Sequence, residues 1–320
     1  MPKRDVERQL GDLSRLRSNP DREAAIPILR KALADRINLI AAKAAEVAAS
    51  LRLRLLLPDL LAAYDRLFPS GAEHDPQCTG KKALAQALID LDYDESPPFL
   101  RGYRYVQMEA TYYKLREDTA PPLRSLCTLG LIQCADLTRA EKLRCLLNAL
   151  TDAAVPVRID TLRAIEQMEG EEAALLCRLK AGLGDKSASV TGQAIESVLR
   201  LEGERALEFA QAFLESSDEP LVEEASLAIG ASRLPAAIDT LKQAYGRRKQ
   251  PVFLRAISVA RLETGFEFLL SLVRDGNLAA LDALSIHRDS PEIQTAVQKA
   301  VEASGIESLR QRYQAKFKNR

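Results

Sequence analysis

The chain has no tryptophan, only two histidines, and aromatic side chains at 5% of its 320 positions. A pocket that reads nucleobases by stacking needs aromatic faces around its carboxylate, Trp above all, and that equipment is missing. His74 and His287 stand 213 residues apart, beside Asp75 and Arg288, so no His-rich or His-Glu spacing supplies a metal. Charge of one sign is missing too. The 45 basic and 45 acidic side chains cancel, and no global field draws in a polyanion. No apolar run is long enough to cross a bilayer. The N-terminal stretch MPKRDVERQLGDLSRLRSNPDRE is charged throughout and has no apolar signal core, so the expectation is a cytoplasmic chain with no membrane partner. The five cysteines, Cys78, Cys127, Cys134, Cys145 and Cys177, are odd in number and form no CxxC pair, and read as reduced, mostly buried small hydrophobes. Period-two β-branched runs flanked by hairpin dipeptides are absent, which argues against a sheet. With no GxxxxGK[ST], GxGxxG, GxSxG or HExxH, the residues give no cofactor, no metal and no catalytic group, and the chain reads as a non-enzyme.

What is present is a repeat. Between Thr119 and Leu262, five segments align: PPLRSLCTLGLI from Pro121, VPVRIDTLRAIE from Val155, ASVTGQAIESVL from Ala188, PLVEEASLAIGA from Pro220 and QPVFLRAISVAR from Gln250. Leu123, Val157, Val190, Val222 and Val252 share a column, with spacings of 34, 33, 32 and 30. Small or apolar residues follow four, five and eight positions later, as in Ala194, Ile195 and Val198, which is one face of a helix. Another apolar-periodic run precedes each, such as Leu143, Leu146, Leu147 and Leu150. The unit is a helical hairpin. One hairpin cannot bury both its apolar stripes, so neighbours must stack over a shared core.

The turns carry a second pattern. Asp118, Asp152 and Asp185 stand five residues before the column, where a carboxylate can cap the next helix. Pro122, Pro156 and Pro251 sit one residue before it, near a helix start. Arg124 and Arg158 follow it, so Asp118/Arg124 and Asp152/Arg158 share a six-residue offset. This combination resembles HEAT repeats, in particular the short bacterial type also found in phycobilin lyases. The stretch from Asp75 to Leu131, with DPQCTGKKALAQAL, FLRGYRYVQMEA and DTAPPLRSLCTLGL, also resembles a group of bacterial HEAT-repeat proteins to which no established activity attaches. The resemblance implies an all-α, right-handed α-solenoid of about eight or nine hairpins. It also implies a hydrogen-bonded ladder between adjacent repeats, giving Asp118, Arg124, Asp152 and Arg158 a structural role. The ladder fades toward the C-terminus, where Thr191, Glu223 and Phe253 replace the arginine. The His-Glu dyads of HEAT-type deoxyhypusine hydroxylases and the Trp-lined basic face of HEAT-like DNA glycosylases have no counterpart.

The expected organisation is one continuous array: an N-terminal cap over 1–20, longer irregular repeats over 21–134, short regular repeats over 135–290, and a C-terminal cap with a basic tail over 291–320. Asp35 with Ile40, Ala44 and Ala45 fits the template, as do Asp75, Thr79, Ala83 and Leu84 with a one-residue slip. Helices are expected in pairs near 22–34 and 38–53, 57–68 and 76–91, 98–116 and 121–134, 139–150 and 156–168, 171–182 and 188–201, 204–215 and 220–231, 235–246 and 251–262, and 265–274 and 278–286, with a last pair from 291.

A helix is expected from Ser96 to Glu117, and six of the 16 Tyr and Phe residues fall between Tyr93 and Tyr113, just before and within it. Phe99, Tyr103, Val106, Ala110 and Tyr113 make a core-facing stripe. Arg101, Tyr105, Met108 and Tyr112 recur on the opposite side and are the candidate partner-binding residues, because Arg, Tyr and Met favour recognition surfaces. The competing reading makes this stripe a second core face under the longer N-terminal loops. Arg247, Arg248 and Lys249 crowd one turn, and the tail from Arg310 to Arg320 holds five basic residues and no acidic one. The expected function is a non-enzymatic protein-interaction scaffold whose second helices line a concave groove for a protein partner. One alternative is nucleic-acid or acidic-protein binding through the basic tail. The other, a phycobilin-lyase-like or glycosylase-like enzyme, rests on repeat similarity alone.

Overall fold

The computed structural model describes residues 3–18, 22–69, 71–110 and 115–318. It is mostly helical, and helices adjacent in sequence pack in pairs. The chain divides into two compact units, Met1–Gln167 and Met168–Arg320.

The first unit runs α1 (Lys3–Arg15), α2 (Arg22–Leu33), α3 (Asn38–Ser50), α4 (Leu57–Arg66), α5 (Thr79–Asp90), α6 (Pro97–Gly102), strands β1 (Met108–Ala110) and β2 (Arg116–Asp118), then α7 (Pro121–Gln133), α8 (Arg139–Ala149) and α9 (Val155–Gln167). Helices α3, α5, α7 and α9 pack in a row, and α2, α4, α6 and α8 each lie against the member that follows. Alanines explain the closeness of the row's start. Ala41, Ala42, Ala44, Ala45, Ala48 and Ala49 are all buried on α3, so its backbone can approach α5 without large side chains between them. Leu84 and Leu88 of α5 and Leu123 and Leu131 of α7 fill the remaining space. Each such leucine contributes about 1.5–3 kcal/mol by leaving water.

The second unit contains α10 (Gly170–Leu183), α11 (Ala188–Glu202), α12 (Leu207–Ala212), α13 (Glu219–Ala231), α14 (Pro235–Arg248), α15 (Pro251–Ala260), α16 (Glu263–Arg274), α17 (Leu278–Leu284), α18 (Pro291–Ser304) and α19 (Glu307–Tyr313). Here α11, α13, α15 and α17 form the row, and α10, α14 and α16 each flank the next member. Proline stands in the first turn of α13, α14, α15 and α18, where its missing N–H removes no helical bond. Thr138 and Glu141 close a reciprocal capping box at the start of α8.

Two expectations are corrected. The helix over 98–116 stops at Gly102, and Met108–Ala110 pairs antiparallel with Arg116–Asp118 in the register Met108↔Asp118, Glu109↔Glu117, Ala110↔Arg116. A small sheet therefore exists where none was expected. The turn aspartates also act differently. Asp35, Asp118, Asp152 and Asp185 accept from the backbone N–H two residues on, at Ile37, Ala120, Ala154 and Ser187. Ile37, Ala120 and Ser187 are themselves the N-cap residues of α3, α7 and α11. The carboxylates thus shape the turn before the helix and do not cap its first free N–H groups.

Candidate functional site

The functional candidate grows from the start of α5. The chain enters it through a single turn, Pro76–Cys78, in which Gln77 (φ 56°) and Cys78 (φ 52°) are both left-handed. For non-glycine residues that conformation costs roughly 1–2 kcal/mol each, so surrounding bonds must hold it. Gln77 donates its N–H to Glu109 Oε1 at 2.6 Å. The Asp75 carboxylate accepts from the N–H groups of Gly80 (2.6 Å) and Lys81 (3.0 Å) and from Asn38 Nδ2 (2.9 Å). Lys81 Nζ completes the set at 3.1 Å, and both side chains of this ion pair are fully buried. Gly80 is what lets the carboxylate close down, since a Cβ there would lie 2.7 Å from Leu67 Cδ1 and 3.1 Å from Asp75 Oδ1.

The Lys81 ammonium makes a second bond, to Gln107 Oε1 at 3.1 Å, and sits 5.1 Å from the Tyr105 ring centroid and 5.6 Å from that of Phe68. Desolvating an ammonium is costly unless charge and hydrogen bonds replace water, and here a carboxylate, an amide and two ring faces do so. Gln107 ties the pair to the β-hairpin. Its amide donates to Asp75 O (2.9 Å) and Glu109 Oε1 (2.7 Å), and its Oε1 also accepts from the Tyr105 hydroxyl (3.0 Å). Thr119 Oγ1 reaches Glu109 Oε1 at 2.6 Å. Burial alone would raise the Glu109 carboxyl, but the donors Thr119, Gln107 and Gln77 hold it below the usual range. The cluster is a clamp that fixes the start of α5 against the hairpin.

The sequence candidates are scattered by the hairpin. Arg101, still on α6, is exposed, pairs with Asp65 Oδ1 at 2.8 Å and stacks 4.1 Å from the centroid of Phe68. Tyr105 is half-buried, edge-on to Phe68 at 4.9 Å, and belongs to the clamp. Met108 is 42% exposed on β1. Tyr112 lies outside the described residues, as does Tyr113 of the other stripe. Phe99 and Tyr103 are buried, whereas Val106 and Ala110 are exposed. Arg101, Tyr105 and Met108 therefore do not share a helix face. Asp75, Lys81, Gln107, Glu109 and Thr119 were missed as a group. The left-handed pair before a helix that opens Thr79-Gly80-Lys81-Lys82 leaves only a faint trace in sequence.

On another face of α5, Lys82 points away from the clamp into an open groove of about 730 Å³. Thr79, Lys82, Ala83, Gln86 and Asp90 recur along that face, Ala42, Glu46 and Ala49 come from α3, and Leu126 from α7. Arg17 and Arg52 stand at its rim. Glu46 is already shared between Lys43 Nζ (3.0 Å) and Arg17 Nη2 (3.4 Å), and Arg52 donates to the carbonyl of Asp90. The groove thus has an alanine floor and charged walls of both signs. Its size is that of a binding cleft.

Behind α7, Arg124 reaches three ways. It donates to Asp118 Oδ2 at 2.7 Å, to both oxygens of Asp152 at 2.7 and 2.9 Å, and to Tyr105 O at 2.9 Å. Arg158 donates to the carbonyls of Asp152 (2.7 Å) and Ala153 (3.1 Å). The basic turn is engaged inside its own unit: Arg247 pairs with Glu215, Arg248 donates to the carbonyls of Leu214 and Ser216, and Lys249 lies over the Tyr245 ring. In the tail, Arg310 meets Glu307, Arg312 holds Asp282 bidentately, and Lys318 lies over Tyr313. His74 is exposed, and His287 Nε2 lies 2.9 Å from Ser258 O. Among the described residues no cluster of three or more His, Cys, Asp or Glu side chains converges to hold a metal, and no helix is long and apolar enough to cross a membrane.

The thiols differ in access. Burial pushes Cys78 up to about 11, against the pull of Lys81, and Cys127 and Cys134 up to about 12. Cys177 is buried as well, while Cys145 is only partly so. In the native protein near pH 8, a thiol reagent should label Cys145 alone, and all five after denaturation. Rapid native labelling of Cys78 or Cys127 would show the clamp region to be open. The chain as a whole matches no protein-family model, and comparison with curated proteins finds no match.

Proposed function

We propose that this chain is a non-enzymatic scaffold, each unit a stretch of HEAT-type right-handed α-solenoid, and that the groove over α3 and α5 seats a segment of a protein partner. The groove itself carries the reading. Its floor is built from small side chains on two helices of the row, and its walls offer charges of both signs to an extended or helical segment of mixed charge. The clamp on the far side of α5 fixes the register of that helix, so the groove is preorganised before anything binds. Arg247, Arg248 and Lys249 of the turn and Arg310, Arg312 and Lys318 of the tail have partners within their own unit, which favours the groove over nucleic-acid binding.

The test fills the groove. Ala83→Arg combined with Gln86→Arg adds bulk and charge at partly exposed positions and should change stability by under about 0.5 kcal/mol. Quantitative affinity purification from the native host should then lose the proteins that wild type retains. Retention of the same set by both proteins would refute the assignment. Salt-sensitive retention of nucleic acid by both would favour the basic tail instead.

A further inference from the structure

Charges of both signs line the groove over α3 and α5, but they are not equally available. The two helices run parallel and in step: Asn38 Nδ2 donates to Asp75 at their starts and Arg52 donates to the carbonyl of Asp90 at their ends, across 37 and 38 residues. Lys82 therefore stands level with the Lys43–Glu46 turn of α3. That turn has no carboxylate to spare, because Glu46 Oε2 already accepts from Lys43 Nζ at 3.0 Å and from Arg17 Nη2 at 3.4 Å. Lys82 itself pairs with no carboxylate among the described residues. The middle of the groove thus sets the cations Arg17, Lys43 and Lys82 against one acid. Its far end is balanced, with Arg52 beside Asp90, whose carboxylate accepts from Gln86 at 2.8 Å. Lys82 also lies in the first turn of α5, where the positive end of the helix dipole adds to its charge.

The floor selects the backbone that can lie on it. Ala42, Ala49, Ala83 and Ala87 put no large side chain in the way of a close approach. The polar groups among them are spent on their own chain: Thr79 Oγ1 donates to Pro76 O at 3.1 Å, Ser50 Oγ to Val47 O at 2.8 Å, and Gln86 Nε2 to Asp90. An extended segment would find few donors there for its carbonyls, whereas a helix satisfies its own. From Thr79 to Asp90 the groove follows α5 for about 16 Å, the length of about three helical turns. Taking the groove as a protein-binding site, as proposed above, we infer that its occupant is an acidic α-helix of the partner. Small side chains of that helix rest on the alanine floor, and a carboxylate meets the Lys82 ammonium.

The probe is a phage-displayed library of helix-forming peptides of about 15 residues, randomised on one face and selected against the full chain. Peptides recovered on wild type should carry Glu or Asp at helical spacing. By fluorescence anisotropy they should bind about tenfold more tightly than their Gln counterparts, a difference that shrinks as salt is raised. Lys82→Glu, outside the clamp, should keep the wild-type circular dichroism spectrum, lose the acidic peptides and select basic ones from the same library. Ala83→Phe fills the floor without adding charge and should bind neither set. A proline at the centre of a recovered peptide should abolish binding, and retention would mean an extended occupant and overturn the helix. Peptides that Ala83→Phe loses but that show no acidic bias, or that bind Lys82→Glu as well as wild type, overturn the acidic helix and leave the groove standing. Peptides that Ala83→Phe retains, or a selection that recovers none, overturn the groove and its occupant together.

Discussion

An Asp75→Ala protein should lose about 3–5 kcal/mol of stability in its first unit, because removing one member of a buried pair leaves the other uncompensated. The loss is larger than that of an ordinary ion pair because Asp75 holds more than Lys81. The carboxylate serves the Lys81 ammonium, two backbone N–H groups and Asn38 at once, so four donors lose their acceptor together. Lys81→Met should be nearly as damaging, since Asp75 would keep its charge at a fully buried position. The double change Asp75→Asn with Lys81→Met removes both charges while leaving an acceptor for the N–H groups of Gly80 and Lys81. It should cost clearly less than the two single effects added together, a coupling expected of groups in contact. Urea unfolding gives the totals, and hydrogen exchange over α5 localises them. Wild-type protection of the α5 amides in Asp75→Ala would show that the clamp does not hold this helix.

Arg124→Ala is the second large effect, at about 3 kcal/mol. The guanidinium is only 5% exposed, and its removal strands two carboxylates and the carbonyl of Tyr105. Arg124→Lys should recover little, because a point charge cannot fork between Asp118 and Asp152. The deficit should depend on pH. Burial would raise the Asp118 carboxyl, yet the Ala120 N–H, the Arg124 guanidinium and the Gln107 N–H together hold it below the ordinary value of 3.8. A carboxyl that is more acidic folded than unfolded stabilises the fold above the unfolded value, and that contribution vanishes as pH falls through the folded one. The difference in melting temperature between wild type and Arg124→Ala should therefore be constant from neutral pH down to about 5 and shrink below about 4. A difference that stays constant to pH 2 would remove Asp118 from the account.

The helices of the row were legible because periodicity, proline and turn aspartates agreed. Expected spans at 121–134, 156–168 and 188–201 meet Pro121–Gln133, Val155–Gln167 and Ala188–Glu202 to within a residue or so. Short or broken helices read less well: the span over 204–215 is Leu207–Ala212 between two single turns of tighter helix. The failure at 98–116 has a specific cause. Phe99 and Tyr103 are truly four apart on a buried face, and the spacing to Val106 and Ala110 continues by coincidence after the chain has left the helix. Strands of three residues are too short to show alternation, and this hairpin is held by Gln107, Glu109, Asp118 and Thr119 side chains more than by β-propensity. Arg101, Tyr105 and Met108 are thus grouped by residue type on a helical face that does not form. The one-residue slip at Asp75 was the visible sign of the left-handed pair Gln77–Cys78, and nothing in the spacing pointed on to Lys81.

The clamp also sets an order of events during synthesis. Lys81 lies in the first turn of α5, but the amide that completes its coordination belongs to Gln107, and the carboxylate that steadies Gln77 belongs to Glu109. While the nascent chain ends before these residues, the ammonium has Asp75 but neither the Gln107 amide nor the Tyr105 ring to replace water, and Gln77 lacks its Glu109 acceptor. Helices α2 to α4 can dock as they emerge from the ribosome, whereas the start of α5 must wait for a further stretch of chain. A pause in translation between Lys81 and Gln107 would therefore prolong exposure of the alanine face of α3 that α5 covers.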